Sequence, residues 1–395
     1  MEIQRIEPAK VFQNGEEDYI IDWEDIFRLY NELGCPDDVY NPTELPINDA
    51  SWFVLTSERS TGKTNNLILI AIILFLRYGF ISAYIREVQD MITPKEMQNF
   101  MNVILKFGYI EKMTGGKYNG ARYWARHYRL VKWAEDGTKE EESAPFLWVG
   151  DLAENLTYKS VLNLPNCYFI IYDEFISKYS APNTFVTLCD LHKTIGRNRL
   201  GIKMFLLANT TNYYHEFFRE LLIQEEVLQC KVNCDFIKTT PLGTRVYYKM
   251  IGQKSKRREL VNTEYYGFKN PLLASITGGD WAVNCYPHIQ REERKIIDKC
   301  RYIRYNDRYY QIELVSSERL GMHCLVHRAN KPSEKDKYKI YTIDEIQERR
   351  ESFKFGSSLI DAYLWNLRKK NKWYYADNDV GFSVESYTNY ALKIK

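Results

Sequence analysis

The stretch that decides the fold reads Trp52-Phe53-Val54-Leu55-Thr56-Ser57-Glu58-Arg59-Ser60-Thr61-Gly62-Lys63-Thr64, with a second apolar run over residues 67 to 76 behind it. An apolar strand, a loop ending in Gly-Lys-Thr and a buried helix are the three parts of a Walker A phosphate loop. Each residue type answers a need of the chemistry. Gly62 lets the backbone turn its N–H groups onto phosphate, Lys63 reaches the β and γ oxygens, and the Thr64 hydroxyl ligates Mg²⁺. Ser57 stands where such loops ordinarily carry their first glycine. The whole run Ser57, Glu58, Arg59, Ser60, Thr61, Gly62, Lys63 and Thr64 is therefore expected to hold a nucleoside triphosphate.

Outward from this loop the pattern is that of an α/β domain. Ile26, Phe27, Tyr30 and Leu33 recur at helical spacing over residues 22 to 33, upstream of the loop. Gly79 ends the helix behind the loop, and residues 80 to 85 form a second β run. Thr93-Pro94-Lys95-Glu96 is a capping box with proline at the first helical position. Residues 123 to 148 alternate and are rich in aromatics, with Asp136-Gly137 as a hairpin turn and an acidic Glu140-Glu141-Glu142 tract beyond it, which reads as an antiparallel excursion off the sheet edge. Residues 168 to 172 and 203 to 208 are short apolar runs without alternation, as expected of parallel strands buried on both faces. The chain is therefore expected to carry an ATPase domain over 1–215, a linker or lid over 216–240, and a second, α+β domain over 241–395.

The first of those late strands ends in Asp173-Glu174, a Walker B element. Asp173 is placed to complete the Mg²⁺ shell, and Glu174, one residue on, to polarise the water that attacks the γ-phosphate. An aspartate followed directly by glutamate points to ATP hydrolysis by the additional-strand, catalytic-glutamate class, and no Asn-Lys-x-Asp guanine motif is present. Arg59 lies inside the loop, Gly196-Arg197-Asn198-Arg199 follows a helix that begins after Pro182, and Asn209 ends the next strand. An arginine at the 197–199 position could reach a neighbouring subunit's γ-phosphate; Asn209 could sense that phosphate or simply form a turn.

Together, Arg59 in the loop, Tyr172-Asp173-Glu174-Phe175-Ile176, Arg197-Asn198-Arg199 before a strand and Ala208-Asn209 at its end resemble the DNA-packaging ATPases of small protein-primed podoviruses. More broadly they resemble the large terminase ATPases of tailed bacteriophages. The resemblance covers roughly residues 45 to 220. It implies a P-loop ATPase fold with a mainly parallel sheet, using ATP and Mg²⁺. It also implies a homopentameric ring on the capsid portal that drives double-stranded DNA into a prohead. In such a ring Arg197 matches the finger acting on the adjacent subunit, although Arg199 stays open as the alternative. Residues 209 to 212 match the coupling motif. The protein would work in the host cytoplasm, sit transiently on the prohead and be absent from the mature virion. The C-terminal domain is then expected to be a vestigial RNase H-like nuclease that does not cut, because Asp307 falls in a turn and Asp377 and Asp379 in a polar loop. A helicase or partition ATPase, a non-hydrolysing nucleic-acid-binding module and a small-molecule phosphotransferase are the rival readings.

Composition adds limits. A formal net charge of +2 over 395 residues leaves any nucleic-acid contact to local basic patches. Lys249, Lys254, Lys256, Arg257 and Arg258, with Tyr247 and Tyr248 beside them, form such a patch and are candidates for phosphate-backbone contact. The 31 tyrosines supply aromatic edges, with core packing the expected use. Eight cysteines without a CxxC pair fit free thiols in a reducing compartment, and the six histidines do not cluster. The apolar run over 67 to 76 is too short to span a bilayer, so no membrane association is expected.

Overall fold

The computed structural model describes residues 1–13, 16–57, 61–87, 92–154, 162, 164–176, 183–197, 199–209, 215–252, 286–287, 295–333, 338–342 and 358–393. The chain divides into two compact units, the first drawn from Met1–Ile176, Phe185–Tyr213 and Phe217–Ala282, the second from Ser177–Thr184, Tyr214–Glu216 and Val283–Lys395.

The first unit opens with a hairpin of β1 (Ala9–Gln13) and β2 (Glu16–Ile20), then α1 (Trp23–Glu32), capped by the Asp22 carboxylate on the Asp25 N–H. β3 (Trp52–Ser57) leads through the phosphate loop into α2 (Lys63–Tyr78). This helix is apolar on nearly all sides because it is buried on nearly all sides: residues 67 to 75 are all buried. Gly79 ends it in the left-handed region, φ 76°, with its N–H on the Phe75 carbonyl. β4 (Ser82–Arg86), α3 (Pro94–Leu105), α4 (Tyr109–Met113), β5 (Gly120–Trp124), β6 (His127–Trp133) and β7 (Lys139–Asp151) follow. After them come β8 (Phe169–Asp173), α5 (Thr184–Gly196), β9 (Lys203–Asn209), the short α6 (Glu216–Glu220) and α7 (Gln224–Gln229), β10 (Asp235–Thr239) and β11 (Arg245–Ile251).

One nine-stranded sheet runs β10-β11-β3-β9-β8-β4-β7-β6-β5. From β11 to β7 every pairing is parallel; the outer strands β10, β6 and β5 are antiparallel. The hairpin expected at Asp136-Gly137 is present, and its second strand, β7, ends as a parallel member of the sheet beside β4. The core crosses strands: Phe53 on β3 stacks on Phe205 of β9 at 4.9 Å, and Phe205 meets Phe169 of β8 at 4.7 Å. Among the described residues, no helix is long and apolar enough to cross a membrane.

The sequence boundary near residue 240 is corrected by the sheet. β11 pairs in parallel with the phosphate-loop strand itself, Val246 opposite Trp52 through Ile251 opposite Ser57, so residues 235 to 251 belong to the first unit. A second correction concerns the thiols. Cys230 and Cys234 are joined as a disulfide, their Cα atoms 5.6 Å apart, because a turn with Asn233 in the left-handed region folds the chain back. Cys35, Cys167, Cys189, Cys300 and Cys324 are free.

The second unit is a five-stranded sheet, ordered β15-β12-β13-β14-β16, made of β12 (Lys295–Tyr305), β13 (Arg308–Ser317), β14 (Gly321–Ala329), β15 (Lys339–Thr342) and β16 (Trp373–Tyr375). The central three form an antiparallel meander, flanked by parallel strands. α8 (Leu359–Lys369) and α9 (Asn378–Lys393) complete it. Asp307 does lie in a turn and Asp377 in the bend before α9, but Asp379 does not lie in a polar loop. Asp377 accepts from the Val380 N–H at the start of α9, and Asp379 is buried in its first turn. The helix expected over 343 to 352 falls outside the described residues.

The stacked phenylalanines generate a prediction. Phe205 is fully buried at the centre of the sheet, so Phe205→Ala should destabilise the first unit by about 3–5 kcal/mol in a denaturant melt. A loss below about 1 kcal/mol would contradict this packing.

Candidate active site

The parallel register places the expected site residues at one edge of the sheet, the edge where strands end. Ser57 at the end of β3 stands opposite Asn209 at the end of β9, and Asp173 ends β8 on the next strand. β9 thus lies between the phosphate-loop strand and the strand that ends in Asp173.

Gly62 has φ 82°, and a Cβ there would sit 3.0 Å from Val39, so both conformation and space demand glycine. The Thr61 carbonyl accepts from the Tyr40 N–H at 2.8 Å, which ties the loop to the segment that precedes β3. Lys63, at the first position of α2, is buried and donates to the Ser57 hydroxyl, which itself lies 2.8 Å from the Thr61 hydroxyl. The serine that replaces glycine therefore has a job: it holds the lysine. Burial drives the Lys63 ammonium down to about 8, against the opposing pull of Asp173 and Glu174.

Around Asp173 the contacts converge on one oxygen. Oδ2 accepts from the Thr64 hydroxyl at 3.2 Å, the Tyr84 hydroxyl at 2.8 Å and the Arg86 guanidinium at 3.2 Å. The Tyr84 phenol is pushed well above its usual range by burial and by the neighbouring Asp173 charge. Glu174 adopts φ 57°, a left-handed conformation that costs a glutamate energy and is concentrated at functional sites. Its carboxylate pairs with Arg86 at 2.7 Å, so a single guanidinium spans both acidic residues. Thr61, Gly62, Lys63, Thr64, Tyr84, Arg86, Glu96, Met97, Phe100, Asp173, Glu174 and Asn209 are among the residues lining a cavity of about 640 Å³.

The donor set fits a magnesium-bound polyphosphate. Thr64 and Asp173 offer hard oxygens at one point, the chemistry Mg²⁺ selects. Lys63, Arg86 and the amino end of the 16-residue α2 supply positive potential beside them.

Arg197 is not in this cavity. It follows α5 with φ 50°, where the chain enters β9, at the opposite edge of the sheet from Asp173. Its side chain is exposed, and among the described residues it makes one long contact, 3.4 Å to the Leu162 carbonyl. Arg199 is committed: it donates to the Gly196 carbonyl at 3.1 Å and the Leu164 carbonyl at 3.0 Å and lies over the Tyr168 ring. Of the two arginines, Arg197 is the more exposed.

Of the expected basic patch, Lys249, Tyr247 and Tyr248 are described. Lys249 on β11 pairs with Glu44 at 3.0 Å, and Tyr247 and Tyr248 are core residues, Tyr248 bonded to Thr56 and Tyr247 to Asp235. The strand that carries them is internal to the sheet, which turns both rings inward. Lys254, Lys256, Arg257 and Arg258 lie outside the described residues, as do Glu58, Arg59, Ser60, Asn198 and residues 210 to 212.

Sequence reasoning missed Tyr84 and Arg86. Alternation along β4 puts both on one face, but only the sheet order reveals that this face adjoins Asp173.

No protein-family model and no curated protein sequence matches the chain. Solved structures do. The fold is similar to that of the phi28 gp11 DNA packaging motor, at 16% identity and TM-score 0.54, over 91% of this chain and 99% of that one. It is also similar to a chain of the bacteriophage phi29 viral genome packaging motor assembly, at 16% identity and TM-score 0.51, over 90% and 100%. A weaker likeness, TM-score 0.34 at 11% identity, reaches the large terminase ATPase domain of Thermus phage P74-26 over 70% of this chain. The first two likenesses show a fold shared along almost the full chain.

Lys63 carries a prediction with a definite sign. Between pH 8 and 10.5 the unfolded chain keeps a proton that the folded chain has released, so nucleotide-free stability should rise with pH across that window, by roughly 3 kcal/mol in all. Lys63→Met should remove the rise and stabilise the nucleotide-free protein at pH 7. Denaturant melts at pH 7 and pH 10 check both; parallel pH dependence in the two proteins would refute the assignment.

Proposed function

We propose that the chain is an ATP-hydrolysing motor that translocates double-stranded DNA into a preformed viral capsid. The observation that carries this reading is the meeting of Lys63, Thr64, Asp173 and Glu174 in one cavity, in a chain whose fold runs with those of two phage packaging motors over nine-tenths of its length. Lys63 and the loop N–H groups would bind the β- and γ-phosphates of ATP, and Thr64 with Asp173 would hold Mg²⁺. Held there, Mg²⁺ would neutralise charge that develops on the phosphates. Glu174 accepts a proton from the attacking water. Asn209, in register with Ser57, is placed to contact the terminal phosphate.

Arg197 acts on the adjacent subunit's nucleotide, which calls for a homo-oligomeric ring, pentameric in this proposal, seated on the portal of a prohead. Its position at the far edge of its own sheet supports an intersubunit role, because it is remote from its own phosphate loop. The protein works in the host cytoplasm and leaves before the virion matures.

The second unit serves as a vestigial nuclease-like domain that contacts DNA without cutting it. Its carboxylates support this reading by being engaged with cations: Asp361 with Lys339 at 2.7 Å and Arg301 at 3.2 Å, Asp379 with Arg328, and Asp307 with Arg304 at 2.7 Å. Lys254, Lys256, Arg257 and Arg258 stay as candidates for backbone contact.

Mutants separate the roles. Lys63→Ala should abolish turnover, and Glu174→Gln should lower it by about 10²–10⁴-fold with nucleotide binding retained. Arg197→Ala should cost about 10³-fold or more and be rescued in mixed rings only where a neighbour supplies the intact arginine. Full hydrolysis by dilute Arg197→Ala monomer would sink the intersubunit assignment.

A further inference from the structure

Resting on that reading, we propose that the turn between β5 and β6, with the sheet face beside it, is a polynucleotide-contact site whose core is Arg122, Trp124 and Arg129. The turn is Trp124-Ala125-Arg126-His127, and both central residues have positive φ, 48° for Ala125 and 63° for Arg126. Two-residue hairpin turns of this kind favour Asn-Gly or Gly-Gly. Alanine and arginine there are strained, and such strain persists where the surroundings over-determine it.

The surroundings do so here. Arg126 reaches Asp151, which is fully buried, at 3.1 Å and Glu154 at 2.7 Å, while its carbonyl accepts from the Val149 N–H at 2.7 Å. The turn is thereby bolted to the end of β7. What it holds out to solvent is an aromatic ring: Trp124 is 62% exposed. The Arg122 guanidinium lies 5.3 Å from the centre of that ring, and Arg129 stands directly opposite Arg122 in the antiparallel register. Two cations and an indole on one face make a surface for a phosphate backbone, with the ring free to pack on sugar or base.

Of the hairpin's acidic tract, Glu142 does lie within the field of Arg122 and Arg129. Its pair to Lys139, together with those two guanidiniums, holds its carboxyl below the usual range, and three cations around one carboxylate leave this face net positive. Glu141 is held elsewhere, paired with Lys117 at 3.1 Å and opposite Lys132 in register.

Position ties the surface to the ATPase site. The end of β7 is in register with the end of β4, Asp151 opposite Arg86, and the Leu152 N–H donates to the Arg86 carbonyl at 3.0 Å. The anchor of the turn is thus one strand away from the arginine that spans Asp173 and Glu174. A strand loaded on Trp124 would pull on the same edge of the sheet that carries the catalytic carboxylates.

The test uses full-length protein and a fluorescein-labelled DNA duplex, read by anisotropy over a salt series, with ATP hydrolysis measured with and without DNA. Trp124→Ala should weaken duplex binding measurably, through the lost packing of the ring against the sugar–phosphate backbone. Arg122→Ala/Arg129→Ala should lower the log–log salt slope by about 1.8. Both should lose DNA stimulation of hydrolysis while basal turnover and nucleotide-induced thermal stabilisation stay within twofold of wild type. Unaltered affinity, slope and stimulation in the first two variants would overturn the assignment while leaving the packaging reading intact. A wild-type protein that hydrolyses no ATP and binds no duplex would remove both.

Discussion

The parallel register of β3, β9, β8 and β4 is the constraint on which the rest depends. Strand ends in a parallel sheet are spaced by about 4.8 Å, so inserting β9 between β3 and β8 sets the two strand ends roughly 10 Å apart, and the phosphate loop turns across that gap to bring the Thr64 hydroxyl to 3.2 Å from Asp173. The same register fixes what faces that gap. Ser57, Asn209, Asp173 and Arg86 each come from a different strand end, and no loop has to deliver them. The stacked Phe53, Phe205 and Phe169 hold the three central strands together from within.

Within that frame the site rests on two charge arrangements. Lys63 is desolvated and leans on a serine hydroxyl, which leaves it ready to exchange a weak neutral partner for phosphate. Arg86 spans Asp173 and Glu174 and so keeps two adjacent carboxylates from repelling one another. Both arrangements describe a site organised around the charge it is to receive. Of the two candidate finger arginines, Arg199 closes the end of α5 and its own stacking contact, and Arg197 is the more exposed.

Much of the first unit was legible because its signals are local. The apolar run of β3, the glycines at 62 and 79, the capping box at Thr93 and the Asp173-Glu174 pair each declare themselves within a few residues. What escaped depends on partners distant in sequence. Residues 245 to 251 read as a strand, but nothing in them says that the partner is the phosphate-loop strand almost 200 residues earlier, so Tyr247 and Tyr248 looked like surface aromatics and are core. Arg86 ends a strand like many arginines; its role appears only when β4 is set beside β8. The Cys230–Cys234 disulfide needed the turn at Asn233, and the burial of Asp379 needed the start of α9. Arg122 and Trp124 were unremarkable in a hairpin whose net charge is small, until the register set Arg129 opposite Arg122 beside the exposed Trp124 ring.

If ATP hydrolysis at this site drives duplex DNA into a capsid, turnover and packaging are coupled. The most direct measurement is in vitro packaging with purified proheads, portal and genome, following nuclease-protected DNA and phosphate release together. Protected DNA should accumulate in proportion to ATP consumed, and both should stop when ATP is withheld. Steady hydrolysis with no protected DNA, or protection that proceeds without ATP, would contradict that coupling.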